Sequence, residues 1–321
     1  MTPLEEIQHR HTEELSSLNR LIQSRLESSN PLMTEIVSSQ LRTRGKQLRP
    51  LLVILCAAMF GPVSDKVMNA AAAVELLHNA SLIHDDVVDN SGVRRGNPTI
   101  NAVWHNHVAV LVGDYFTSSA MQLAIETGEI AIVDSLCALG RRLSLGEIEQ
   151  IFRARNHNAS VDAYYQIIDY KTASLFVSSA QMGCIAAGAP VAAQEALSHY
   201  AAALGRCFQI RDDIFDYFPS TLVGKPTGND LREGKVSLPL LLALEQNSDP
   251  EIKALLQSDS LSDSTIARIQ AFARDNGGIA GAYGVMKELR DRGVEALQSL
   301  PESDIRQELT GLIDFIIERN F

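Results

Sequence analysis

A helical periodicity of apolar positions runs almost from end to end of this 321-residue chain. No stretch shows the sustained alternation and β-branched enrichment of a strand. The chain is therefore expected to be all-α. Apolar spacing marks helices near 3–27, 31–42, 47–60, 65–90, 99–126, 129–155, 161–187, 193–218, 237–247, 263–275, 277–298 and 303–319. Breaks coincide with Gly61-Pro62, Gly96-Asn97-Pro98, Gly188-Ala189-Pro190 and the polar stretch Asp259 to Ser264, where turn chemistry opposes a helix. Ser237, ahead of Leu238-Pro239, reads as an N-cap with proline in the first turn. No linker, composition shift or fixed-period repeat divides the chain, which predicts a single domain over 1–321, a helical bundle with its site between long helices.

Two acidic clusters sit within these helices. Asp85-Asp86-Val87-Val88-Asp89 and Asp212-Asp213-Ile214-Phe215-Asp216 both read D-D-x-x-D. Three carboxylates in five helical residues repel one another unless a cation gathers them. One such triplet alone is ordinarily a solvated face; two, both flanked by large apolar residues, are not. Carboxylate oxygens are hard ligands, and magnesium is typically held by one or two of them plus substrate phosphate oxygens. On a helical wheel Asp85 and Asp89 lie about 40° apart, with Asp86 to the side, and Asp212 and Asp216 pair likewise. His78 and Ser81 share the first face and Gln209 lies near the second. The expectation is two helices facing each other across a magnesium-bridged diphosphate.

A diphosphate also needs direct cationic partners, and these occur in three places. Arg44-Gly45-Lys46-Gln47-Leu48-Arg49-Pro50 opens a helix, with Lys46 and Arg49 on one face of an end that favours anions. Arg94-Arg95 follows the first cluster in a short loop and offers bidentate donors to phosphate. Gly224-Lys225-Pro226-Thr227-Gly228-Asn229-Asp230-Leu231-Arg232-Glu233-Gly234-Lys235 is a glycine-bearing loop beyond the second cluster, without the Walker pattern. Lys225 and Lys235 are expected to reach substrate from this loop; exposed loop lysines are the plainer alternative.

Bulk properties remove other classes. A net charge of -11 and the lack of a basic run argue against nucleic acid as a partner. Apolar residues at 45% and charged residues at 21% suit a protein with a sizeable core. Cys56, Cys137, Cys184 and Cys207 are widely spaced without C-x-x-C, as expected of reduced core cysteines in a cytosolic protein. The first residues, MTPLEEIQHRHTEEL, contain no apolar signal region. The most membrane-like stretch, Thr172 to Gln194, is too rich in Ala, Gly, Ser and Gln for a span. A soluble cytoplasmic protein without a transmembrane segment is expected.

In order, the chain carries G-K-x-x-R-P, H-x-x-S-L-I-H-D-D-x-x-D, R-R-G, K-T, F-Q-I-x-D-D-x-x-D and G-K-P-x-G-N-D-x-R-E-G-K. This set, covering roughly residues 40 to 240, resembles the trans-isoprenyl diphosphate synthases, or polyprenyl synthetases. The resemblance implies the all-α isoprenoid synthase fold with a central cavity, a homodimer, two or three magnesium ions, and condensation of isopentenyl diphosphate with an allylic diphosphate. Position by position, it implies Asp85, Asp86, Asp89, Asp212, Asp213 and Asp216 as metal ligands. It places Lys46, Arg49, His78 and Arg95 at isopentenyl diphosphate. Arg94, Lys171, Thr172, Gln209, Lys225 and Lys235 fall around the allylic diphosphate, and Asp85, Asp89, Asp212, Lys171 and Lys235 are expected to carry catalysis. Arg44 stands where relatives often have glycine, and Arg211 where an apolar residue is common; neither removes a functional group.

Residues N-terminal to Asp85 on its helix would line a hydrocarbon tunnel, receding by about 1.5 Å each. Leu77, Ala80 and Ser81 are the expected chain-length positions. In the resembling family, bulky aromatics near there mark farnesyl-type enzymes, so small Ala80 and Ser81 imply a medium or long product, hexaprenyl to decaprenyl. The alternatives are a short-chain farnesyl or geranylgeranyl synthase, a class I terpene cyclase, and a non-catalytic subunit of a heteromeric prenyltransferase. The cyclase needs no second diphosphate seat, and a non-catalytic subunit would be expected to lose carboxylates or bases that this chain retains.

Overall fold

The computed structural model describes residues 2–42, 45–223, 227–258 and 260–319, and among them helix dominates, as the periodicity predicts. The helices are α1 (Pro3–Arg10), α2 (Thr12–Arg25), α3 (Pro31–Arg42), α4 (Leu48–Ala58), α5 (Asp65–Val88), α6 (Ile100–Glu126), α7 (Ile130–Arg155) and α8 (Val161–Ile168). A π-helical turn, Asp169–Ala173, leads into α9 (Ser174–Ala186), followed by α10 (Val191–Asp216), α11 (Ser220–Val223), α12 (Asn229–Arg232) and α13 (Leu238–Gln246). Then come α14 (Pro250–Leu255), α15 (Asp263–Asp275), α16 (Gly278–Leu297) and α17 (Asp304–Glu318). The only pairing between strands among the described residues is a two-residue hairpin, β1 (Val93–Arg94) against β2 (Asn97–Pro98).

Local chemistry explains the ends. Thr2 and Glu5 form a reciprocal capping box at α1, satisfying two otherwise orphaned N–H groups. Ser237 occupies the N-cap position of α13 with Pro239 in the first turn, but makes no capping bond. Its hydroxyl pairs with that of Tyr217 at 3.0 Å instead. The single helix expected over 3–27 is broken at His11. His105 sits at φ 67 and kinks α6.

The chain divides into two compact units, Met1–Gly140 with Leu175–Ser198 and Pro301–Glu308, and Arg141–Ser174 with His199–Leu300 and Leu309–Phe321. Each is assembled from separated segments, so no linker marks a boundary. In the first unit α5 packs along α6 and touches α4 and α2. Ala70 to Ala73 on α5 are fully buried, because small side chains let helices close in from every side. Gly183 of α9 rests on the backbone of Val53 in α4, where a Cβ has no room. In the second unit α13 is clasped by α15 and α16, over a core that includes Tyr217, Leu240, Ile252 and Phe272.

By length and composition one described helix, α6, is long and apolar enough to cross a membrane, whereas Thr172 to Gln194 is interrupted by a turn at Gly188 with φ 67. Ala109, Val112, Phe116 and Leu123 of α6 are buried. Cys56, Cys184 and Cys207 are buried as expected; Cys137 is exposed.

Candidate active site

The residues singled out by spacing fall into two groups, one in each unit. In the first unit the acidic turn closes α5. Asp89 is its C-cap, and its N–H donates to the Asp85 carbonyl at 2.8 Å. One full turn thus separates the two carboxylates, as the wheel predicts. Asp85 is half-buried and Asp89 exposed. Asp86 points elsewhere: Arg94 Nε donates to its Oδ1 at 2.8 Å. Burial pushes the Asp86 carboxyl up, Arg94 opposes that, and Asp89 adds to it.

Arg94 is presented by the hairpin, whose turn Arg95-Gly96 has φ 53 and 76, the two left-handed positions of a type I′ turn. The Arg95 guanidinium lies against Gly45, where a Cβ would stand 2.7 Å from it. Gly45 therefore draws the Lys46–Arg49 segment beside Arg95. Lys46 is exposed, and its carbonyl accepts from Gln8 Nε2 at 2.7 Å. Arg49 lies 5.0 Å over the ring of Phe176.

Buried His78 lies within the field of Arg49, Arg95 and Arg94, and its pKa falls well below the usual imidazole range, from burial first and those arginines next. Its Nδ1 is buried without a hydrogen-bond partner. Glu75, one turn earlier, was not singled out in the sequence; burial raises its carboxyl while Arg49 and Arg95 hold it down. A carboxylate inside Ala-Val-Glu-Leu-Leu was the available signal. Leu77 and Ala80 are buried and Ser81 half-buried; the Ser81 hydroxyl donates to the His78 carbonyl at 2.9 Å.

In the second unit Asp213 anchors a buried network. Tyr164 Oη donates to its Oδ2 at 2.6 Å and Gln209 Nε2 to its Oδ1 at 2.7 Å. Thr172 Oγ1 donates to Gln209 Oε1 at 2.7 Å. Burial, then the charge of Asp230, pushes the Asp213 carboxyl up to about 8, against the donors Tyr164 and Gln209. Asp230 itself is raised to about 6 by burial and Asp216, with Lys235 opposing. Asp212 is paired with Arg319 at 2.5 Å. Asp216 Oδ1 accepts from the Gly228 N–H at 2.8 Å.

Lys171 and Thr172 lie in the π-helical turn, a local widening common at functional sites. Lys171 pairs with Glu147 and donates to Gln150 Oε1 at 3.1 Å. Lys235 pairs with Glu233 at 2.5 Å. Arg211 turns away from the acidic face to the Arg319 carbonyl and the Tyr283 hydroxyl. Lys225 lies outside the described residues. Tyr164, Asp230 and Arg319 were missed in the sequence, and only Asp230, within a quoted motif, carried a signal.

Among the described residues no three His, Cys, Asp or Glu side chains are gathered tightly enough to cage a metal by themselves. The donor set nonetheless fits magnesium, which keeps waters and borrows phosphate oxygens. Asp85 and Asp89, one turn apart at the end of α5, present two such hard oxygen ligands.

The polyprenyl synthetase family model matches residues 30–272. Octaprenyl diphosphate synthase of Haemophilus influenzae is 33% identical, over 99% of this chain and 98% of that protein. The crystal structure of a decaprenyl diphosphate synthase from Rhodobacter capsulatus superposes with a TM-score of 0.93 at 33% identity, covering 99% of each chain. That of a polyprenyl synthase from Caulobacter crescentus, complexed with calcium and isoprenyl diphosphate, gives 0.92 at 32% identity over 99% of this chain and 98% of that one.

Proposed function

The chain belongs to the polyprenyl synthetase family, and from that premise we propose that it is a trans-polyprenyl diphosphate synthase of medium or long product length, hexaprenyl to decaprenyl. The observation that carries this reading is the gathering of Arg49 and Arg95 around a buried, neutral His78 in the unit that bears the Asp85–Asp89 turn. Such a cluster suits a second diphosphate, that of isopentenyl diphosphate, which a terpene cyclase does not need.

Asp85 and Asp89 in the first unit, and Asp212 and Asp216 in the second, would hold magnesium, which would supply positive charge to the departing diphosphate of the allylic substrate. The protein's own part is to orient and neutralise. Lys171 and Lys235 meet the allylic diphosphate, and Thr172 and Gln209 fix the geometry around it through Asp213. As the carbon–oxygen bond breaks, preorganised charge stabilises the growing negative charge on the leaving group. Arg49, Arg95 and neutral His78 hold isopentenyl diphosphate so that its double bond attacks the allylic cation, and loss of a proton then gives the trans alkene. No side-chain nucleophile takes part.

We also propose a homodimer. Val110, Leu111, Met121 and Ile125 of α6 are exposed and fall within about 100° of one another on the helix. A second copy would cover that stripe.

The test is incubation of the pure chain with magnesium, isopentenyl diphosphate and farnesyl diphosphate, with products weighed by mass spectrometry. Products longer than geranylgeranyl are expected. No consumption of isopentenyl diphosphate would overturn the reading in favour of a cyclase or a non-catalytic subunit.

A further inference from the structure

Gln47 occupies a backbone region that most side chains avoid. It is the N-cap of α4 at φ 49, ψ 36, in the left-handed region, and makes no capping bond. That conformation is uncommon for a residue with a Cβ, and it persists where the surrounding structure over-determines it. Here the surrounding structure is the N-terminal helix pair. Gln47 Nε2 donates to Asn19 Oδ1 of α2 at 3.0 Å, and Asn19 Nδ2 returns a longer bond to Gln47 Oε1 at 3.4 Å. The Asn19 amide is itself oriented, because its Nδ2 also donates to the Leu15 carbonyl at 2.7 Å. One residue before Gln47, the Lys46 carbonyl accepts from Gln8 Nε2 of α1 at 2.7 Å. Two consecutive residues at the entry to α4 are thus held from two different helices.

The helix pair is anchored within the first unit. Leu4 and Ile7 of α1 and Leu15, Leu18 and Ile22 of α2 are buried. At the junction of the two helices Arg10 and His11 both reach Glu308 of α17, at 2.5 and 2.9 Å. An anchored pair that aims two amides at one segment can fix that segment's shape. The segment matters because it carries Lys46 and leads directly to Arg49, in the first turn of α4.

We propose that Gln8 and Asn19 are positioning residues for isopentenyl diphosphate. From the N-terminal helices they set the Lys46 carbonyl and the left-handed turn at Gln47, and so the places of Lys46 and Arg49, before substrate arrives. Both act through the segment rather than on the substrate. With either bond lost, Gln47 is free to relax towards commoner backbone regions, and Lys46 moves with it. The allylic diphosphate is met by Lys171 and Lys235, which belong to the second unit, so its binding is unaffected. That the two residues hold the segment is independent of the proposed activity; only the consequence for isopentenyl diphosphate rests on it.

The test has two arms, both on the full chain with Gln8→Met and Asn19→Ala. In the first, hydrogen exchange is followed by mass spectrometry without substrate. The Leu51 N–H closes the first bond at this end of α4, onto the Gln47 carbonyl. Exchange in a peptide containing it should quicken roughly three- to tenfold in each variant, the range that a net hydrogen bond spans, while the middle of α5 exchanges as in the wild type. In the second arm, KM for isopentenyl diphosphate should rise by a similar factor, with kcat and the allylic KM unchanged. Asn19→Asp keeps the acceptor for Gln47 Nε2 and should restore most of that KM. Unchanged exchange at the start of α4 in both variants overturns the proposal whatever the kinetics show. Faster exchange with an unchanged KM for isopentenyl diphosphate, or with both KM values rising together, overturns the positioning role. No turnover by the wild type overturns the activity instead, and the exchange arm still decides whether the helices hold the segment.

Discussion

Tyr164 donates its phenolic hydroxyl to Asp213 Oδ2 at 2.6 Å, between two buried residues 49 positions apart. With Gln209 on Oδ1, both oxygens of Asp213 have protein partners, so this aspartate orients Gln209 and Thr172 before any substrate arrives. Tyr164→Phe keeps the ring and removes the donor. A buried acceptor left unsatisfied typically costs about 1–3 kcal/mol. Denaturant unfolding should show a loss of that size, together with a raised KM for the allylic substrate as Gln209 loses its fixed partner.

The proton on Asp213 gives the stability a direction with pH. Its carboxyl is raised from an ordinary aspartate value to about 8 in the folded chain. Between the unfolded value, about 4, and the folded one, the folded state holds a proton that the unfolded state has released. Stability from this group is therefore present at low pH and lost as pH rises through that window, by at most about 1.4 kcal/mol per pH unit. Asp213→Asn cannot ionise, so in metal-free buffer its melting temperature should gain on the wild type steadily from pH 5 to 8. A constant difference across that range would contradict the burial of an uncompensated charge.

Gly146 supports Lys171 by having no side chain. A Cβ there would stand 2.8 Å from Lys171 Cγ and 2.8 Å from Tyr170 Cβ. Gly146→Ala should push the π-helical turn outward and move the ammonium group. Since misplacement by about 1 Å can cost 10²-fold in rate, kcat/KM for the allylic substrate should fall by one to two orders of magnitude while helix content by circular dichroism stays intact.

Asp85 and Asp212 head the two acidic clusters, and Asp212 is balanced by Arg319. Even the outer partners of metal ligands typically cost about 10–100-fold when removed. Asp85→Asn and Asp212→Asn should each lower kcat at least about 100-fold at saturating magnesium. The unfolding midpoint of Asp85→Asn should stay near wild type because Asp85 is only half-buried, whereas that of Asp212→Asn should fall because the Arg319 side chain, 9% exposed, loses its carboxylate. Near-normal rates would remove these residues from the chemistry.

How far the sequence speaks depends on the kind of contact. The long helices and both D-D-x-x-D turns were legible because each repeats within a few residues. Lys171 was expected inside one helix over 161–187, yet the backbone there widens into a π turn that no local pattern announces. The short helices α11, α12 and α14 escape notice because six residues or fewer hold less than two periods. Tyr164 and Arg319 escape for another reason: each is a single polar residue whose meaning is a partner distant in sequence. Asp86 and Asp213 look alike in the two motifs, and only the fold gives one an arginine and the other a tyrosine and an amide.

Ala80 is 1% exposed on α5, five residues before Asp85, or about 7.5 Å along the helix axis at 1.5 Å per residue. If the hydrocarbon grows back along α5, an aromatic ring at this position meets it after few additions. Ala80→Phe should shift the product distribution towards shorter chains while isopentenyl diphosphate is still consumed. The substitution also overpacks a buried position, typically costing about 1–3 kcal/mol, so a fall in rate alone proves nothing. Length and rate separate the two effects: general destabilisation lowers the yield of every product in proportion, whereas a raised floor truncates the series. An unchanged distribution by mass spectrometry, at whatever rate, would show that Ala80 does not bound the tunnel.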